Sequence, residues 1–234
     1  MVESIAEGMW GVEGRVKVMP AFYLPCRMTI VRLRDGRLLL YSPVALDDDT
    51  VEEIALLGEV AYLVAPNKEH HLFVDGAIEA FGRADLFGAP GLADKRDDLD
   101  FDGELGRGEM PWADELDTLV LEGASAWNEV VLFHRATGTL ICADLLFNLQ
   151  EFEGWLTPWM SRMFGTYKRL AHSKLWRSKY DDVQVFASCV QQMLEWPIER
   201  VSMAHGEVVE EDCRERLDDA FSWLLAQLPV RSAS

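Results

Sequence analysis

The sequence predicts an α/β fold, and three observations carry that reading. Short apolar runs of strand type alternate with segments of helical character through the first half. Further strand runs follow an acidic loop, and two segments with apolar residues at helical spacing occupy the last quarter. Strands joined through helices in this order follow the β-α-β logic of a sheet covered by helices.

Met28 to Leu33 and Arg37 to Tyr41 are strand runs separated by Arg34-Asp35-Gly36, and the Asp-Gly pair favours a hairpin turn. Thr50-Val51-Glu52-Glu53 has the pattern of a capping box and predicts a helix through Leu57, stopped by Gly58. Val60 to Ala65 is a buried strand, Leu72 to Gly82 a helix, and Ala84 to Ala89 a short strand ending at Pro90-Gly91. Beyond the acidic loop, Asp117 to Glu122 and Asn128 to His134 are strands, and Ala136-Thr137-Gly138 turns the second into Thr139 to Ala143. Asp181 to Glu195 and Val209 to Leu228 are the two helices of the last quarter, with Arg200 to Ala204 a strand between them.

The 234 residues are 49% hydrophobic and 26% charged, an ordinary globular composition for a single domain over 1–234. Cys26, Cys142, Cys189 and Cys213 are widely spaced, which predicts reduced thiols rather than a disulfide framework or a cysteine metal knuckle. No run approaches the length of a membrane span and no basic start precedes an apolar block, so a cytoplasmic protein is expected. The net charge of −18 argues against nucleic acid as a partner. That charge is uneven. Asp94 to Asp117 is acidic, whereas Arg162 to Lys179 carries six basic residues and no acid.

Three segments place metal-type ligands directly after strand runs: Pro66 to His71, Cys142-Ala143-Asp144 and Ala204-His205-Gly206. His, His, Asp and His side chains from three strand ends could fill the four-coordinate shell of a zinc-like ion, or part of a larger iron or manganese shell. His70 and His71 are adjacent, so on a strand they face opposite sides; only a loop or helix start turns both to one ion. The other reading of Asp144 is an N-cap for a helix from Leu145, and that of His205 is a hydrogen-bonded neutral ring. His134 and His172 read as solvent-facing turn residues, and Cys142 as a buried thiol. Leu145 to Tyr180 combines eight aromatic residues and two methionines with the basic cluster. It reads either as a helical insertion roofing the site, its cations facing an anionic substrate, or as an amphipathic helix pair in the core.

Ala65-Pro66-Asn67-Lys68-Glu69-His70-His71 and Gly138-Thr139-Leu140-Ile141-Cys142-Ala143-Asp144-Leu145-Leu146-Phe147-Asn148 resemble segments of DUF4336, a family of unknown function within the metallo-β-lactamase fold superfamily. The similarity spans roughly Met28 to Gly206. It implies a four-layer αββα sandwich with the metal site at one edge of the paired sheets, here with a helical aromatic and basic insertion around 145–180. The superfamily's H-x-H-x-D-H segment aligns with Pro66 to His71, and its next histidine with Ala124. The three first-metal ligands are then replaced by Pro66, Lys68 and Ala124. The second-metal positions keep His70, His71 and His205, and Asp144 matches the bridging aspartate.

The resemblance therefore implies one divalent ion, zinc or iron, at His70, His71, Asp144 and His205, or none. It implies a metal-dependent hydrolase of a small molecule, with Asp144 also accepting a proton and Lys68 supplying the positive charge of the missing ion. The basic, aromatic segment, if it borders the site, adds an anionic or amphipathic ligand to that expectation. The competing expectations are a non-catalytic binding or interaction protein that has lost the dinuclear centre, and an iron-dependent oxidoreductase. Neither the substrate nor the oligomeric state follows from the residues.

Overall fold

The computed structural model describes residues 1–229. One sheet takes its seven strands in chain order: β1 (Val2–Ala6), β2 (Met9–Met19), β3 (Phe22–Arg32), β4 (Leu38–Tyr41), β5 (Val60–Ala65), β6 (Asp85–Gly88) and β7 (Gly103–Glu104). Its first four strands pair antiparallel and the rest parallel, because β4, β5 and β6 are joined through helices. These crossovers hold α1 (Asp48–Leu57) and α2 (Val74–Ala80), and the short α3 (Leu92–Lys95) follows β6. The second sheet holds β8 (Leu116–Val120), β9 (Val130–His134), β10 (Thr139–Asn148), β11 (Leu170–Ala171) and β12 (Arg200–Gly206), with β10 at its centre. Outside it lie α5 (Val183–Met193) and α6 (Cys213–Leu225), while α4 (Thr157–Phe164) belongs to the segment between β10 and β11.

Strand alternation sorts the core into three apolar layers. In β4, Leu39 and Tyr41 face the second sheet, while Leu38 and Leu40 face α1 and α2. In β10, Ile141 and Ala143 turn to the first sheet, while Leu140 and Cys142 pack on Phe186 and Val190 of α5 and Leu217 and Phe221 of α6. Strands buried on both faces have the continuous apolar sequences seen in Leu38–Tyr41 and Thr139–Ala143. The result is four layers, helix-sheet-sheet-helix, as the resemblance implies.

Several elements differ from the sequence reading. Residues 1–27, for which no element was expected, supply β1, β2 and part of β3. The cap of α1 is Asp47, whose carboxylate accepts from the Thr50 amide at 2.9 Å. Glu53 is instead drawn to the N-terminal strand, where it accepts from the Val2 amide at 2.7 Å. The second helix is shorter than expected. Leu145–Tyr180 is not a helix pair: it holds the end of β10, the two-turn α4, β11 and a 3-10 turn over Lys174–Ser178. Gly165, in the left-handed region at φ 78°, ends α4. Among the described residues no helix is long and apolar enough to cross a membrane.

Candidate metal centre

Three strand ends and loops converge on His70, Asp144 and His205. His70 lies in the turn between β5 and α2, where the Asn67 side-chain oxygen accepts from the backbone amides of Glu69 (2.8 Å) and His70 (2.7 Å). This Asx-type turn swings the His70 ring inward. His70 Nε2 lies 3.3 Å from Asp144 Oδ2, His205 Nε2 lies 3.2 Å from Asp144 Oδ1, and the two Nε2 atoms are 3.2 Å apart. The group is largely shielded from solvent.

Both imidazoles are held from behind. His205 Nδ1 is 2.7 Å from the Pro25 carbonyl, an acceptor only, so this nitrogen carries a proton, and the neutral ring would turn its Nε2 lone pair toward Asp144. His70 Nδ1 is 2.6 Å from the Ser42 hydroxyl, which can take its proton in the same way. The Phe147 ring stacks on His205 at 4.9 Å and fixes its plane. Burial alone would raise the Asp144 carboxyl, but the charge and N–H donation of the His70 and His205 rings in their protonated form outweigh it and hold it below the usual carboxylate range. Two lone pairs and a carboxylate at such distances demand a proton or a cation between them, and the donor set fits a zinc-type or iron-type ion.

Asp144 reaches this place through a bulge. Between Cys142, opposite Met203, and Phe147, opposite His205, β10 inserts extra residues relative to β12. The amides of the bulge turn inward, and the wholly buried Glu129 collects them. Its carboxylate accepts from Ala143 (2.7 Å), Asp144 (3.0 Å) and Leu145 (3.1 Å), and from Asn67 Nδ2 at 2.7 Å. Asn67 Nδ2 also reaches Asp144 Oδ2 at 3.0 Å, so one amide side chain joins the His70 turn to the Asp144 bulge. Burial and then the Asp144 charge push the Glu129 carboxyl up to about 7, against the pull of Asn67, His70 and the Ala143 amide. On the far side Trp176 donates Nε1 to the Asp144 carbonyl at 3.1 Å and stacks flat on Trp127 at 4.2 Å. Asp144 is thus a mid-strand bulge residue, not a helix cap.

The other candidates lie elsewhere. His71 Nδ1 faces the Arg96 guanidinium at 3.2 Å, and burial followed by the Lys95 and Arg96 charges lowers its pKa. The structure does not bring it to the other three. Adjacent residues diverge here: the turn at Asn67 aims one ring inward and the next toward α3 and the Arg96 side chain. Lys68 donates from Nζ to the Ser125 carbonyl at 2.8 Å, bridging to the β8–β9 loop, and Ala124 is packed in the core.

His134 and His172 are enclosed rather than solvent-facing. His134 bonds Thr137 in the β9–β10 turn, and His172 sits between the Leu145 carbonyl and the Tyr180 hydroxyl. Burial lowers His172 to about 4. The basic cluster does not face the site: Arg162 stacks on Tyr167, Arg177 on Trp223, and Arg169 pairs with Asp219. Glu129 and Asn67 were missed in the sequence. An Asn before two histidines offers a weak signal for an Asx turn, whereas a Glu at a strand start gives none.

Residues 6–162 match the model of DUF4336, a domain of unknown function. The match ends before His205. No curated protein matches the chain. Among solved structures, it is similar to a metallo-beta-lactamase from Pontibacter korlensis (17% identity, 97% of this chain and 99% of that one, TM-score 0.67). It is also similar to metallo-beta-lactamases from Hirschia baltica (13%, 96% and 97%, 0.65) and Erythrobacter litoralis (14%, 95% and 96%, 0.66). At such identities the likeness shows the fold alone. From its sequence match over 6–162 and its four-layer architecture, the chain belongs to the DUF4336 family and has the metallo-β-lactamase fold.

Proposed function

We propose that this protein is a metal-dependent hydrolase with a mononuclear site, in which His70, Asp144 and His205 hold one divalent ion. The observation that carries the reading is the convergence of two imidazole Nε2 atoms and one carboxylate at 3.2–3.3 Å, with a Pro25 carbonyl fixing one ring and the Ser42 hydroxyl meeting the other. An ion held there would supply Lewis-acid polarisation of a substrate oxygen and acidify a water molecule. The chain's own residues do the rest. Pro25 and Ser42 hold the rings, Glu129 and Asn67 hold the Asp144 bulge, and Asp144 stays an anionic carboxylate. A mononuclear site is supported by Pro66 and Ala124, which have no ligating side-chain atoms, and by Lys68, whose ammonium is engaged by Ser125.

Elemental analysis and zinc titration test this directly. One ion per chain is expected, with His70→Ala and His205→Ala each abolishing tight binding and His71→Ala leaving it within about threefold, since His71 faces Arg96. No bound ion, two ions per chain, or a His71→Ala loss equal to that of His205→Ala would overturn it.

A further inference from the structure

The candidate centre sits where two apolar arms meet. One arm, of about 310 Å³, runs between the β2–β3 hairpin and the start of α2, walled by Val16, Val18, Leu24, Leu72 and Phe73. The other, of about 160 Å³, runs beneath α4 and the 3-10 turn, walled by Phe22, Phe147, Phe164 and Leu175. Asp144, Glu69, Val18 and Leu24 border both, so the arms meet at Asp144, while His70 and His205 line the first arm. Apolar side chains also stand exposed at the rim: Val18 is 47%, Leu72 60% and Leu175 44% exposed. An apolar rim around a concave site marks a ligand groove more often than chance surface exposure does.

Charge at the arms is sparse. Lys17 is the cation lining the first arm, and Glu69 is engaged by Lys95 at 3.4 Å. The six basic residues of 162–179 do not line either arm. A multiply anionic or sugar-like substrate would leave its charges and hydroxyls against Val, Leu and Phe side chains, which costs free energy without compensating hydrogen bonds.

We infer that the substrate class is an acyl-chain amphiphile, such as an ester of a medium-chain aliphatic acid. Its chain lies in one apolar arm, its leaving-group side lies in the other, and its acyl carbon lies at the His70, Asp144 and His205 junction. The reacting position rests on the proposed hydrolase reading; occupation of the arms does not. Hydrolysis balances as addition of water to the acyl carbon with cleavage of the acyl C–O bond. The acid keeps the water's hydroxyl, and the alcohol takes its proton.

Binding of decanoate to the metal-free full chain, followed by calorimetry, tests the class without any activity. Leu72→Asp and Leu175→Asp alter exposed positions on opposite arms, and Leu56→Asp, at an 87% exposed position on α1, is the control. Decanoate is expected to bind saturably, roughly tenfold more weakly to each arm variant and unchanged in the control, because one apolar contact is worth about that factor. No saturable binding, equal binding by all three variants, or binding of glucose 6-phosphate as tight as that of decanoate would overturn the inference. Zinc titration of the same samples separates the two readings. Decanoate binding without zinc binding sinks only the metal site, and zinc binding without decanoate binding sinks only the substrate class.

Discussion

Replacing Glu129 tests how the candidate centre is built. Four buried N–H groups, from Ala143, Asp144, Leu145 and the Asn67 side chain, end on this one carboxylate. In Glu129→Ala all four lose their acceptor, and each unsatisfied buried donor costs about 1–3 kcal/mol. Part of that cost is recovered, because Asn67 still reaches Asp144 Oδ2 and water can enter the space left behind. A net loss of about 4 kcal/mol remains, a large share of the ~5–15 kcal/mol by which a domain is usually stable. Glu129→Gln keeps one acceptor oxygen but points an NH2 group at two donors, so it should lose roughly half as much. Urea unfolding at pH 7.5 measures both through the midpoint at constant slope. Because the bulge carries Asp144, zinc affinity should fall in the same order, with Glu129→Gln retaining measurable binding. A Glu129→Ala loss below about 1 kcal/mol, or a Gln variant no better than the Ala variant, would refute the role given to this carboxylate.

Three further outcomes follow from other parts of the structure. His172 is held neutral at about 4 by burial, against 6.5 in the open chain, so the unfolded state binds the extra proton between those values. Stability is then fully present above pH 6.5 and is lost as pH falls toward 4, by about 3 kcal/mol. A His172→Phe variant should flatten this limb of the unfolding profile. Gly206 sits at φ 112°, where an added Cβ would overlap the Asn148 carbonyl, so Gly206→Ala should cost about 2–3 kcal/mol and displace His205, read as a lower melting temperature with weaker zinc binding. Finally, if the site is as proposed, saturating zinc at 100 times its dissociation constant should stabilise the wild type by about 2.7 kcal/mol, and EDTA should reverse it. Asp144→Asn should lose most of that gain.

Much of the fold was legible because its strands are short apolar runs with clear punctuation. Val60–Ala65, Arg200–Ala204 and the two late helices fall close to their expected places, since an apolar period buried on one or both faces is a local property. The first 27 residues were less legible: Gly11 and Gly14 interrupt the alternation of β2, and Pro25 breaks β3, so only the apolar run from Met28 onward reads as a strand by itself. The insertion was misread for a related reason. Its aromatics are spaced as on a helix, yet Phe147 belongs to the end of β10, and Trp176 is aimed at the Asp144 carbonyl from a 3-10 turn.

The sequence by itself determined that an imidazole-rich turn, an aspartate after a strand and a strand-end histidine recur at the ends of apolar runs. It carried the family resemblance as well. Which histidine turns inward was decided only by tertiary structure, because the Asn67 turn and the cations Lys95 and Arg96 come from different segments. The same holds for Asp144. Its position depends on extra residues in β10 measured against β12, and on Glu129 from β9's approach gathering the freed amides. Strand runs report their own burial, whereas ligand geometry depends on register between strands far apart in the chain, and a single strand's sequence does not contain that register.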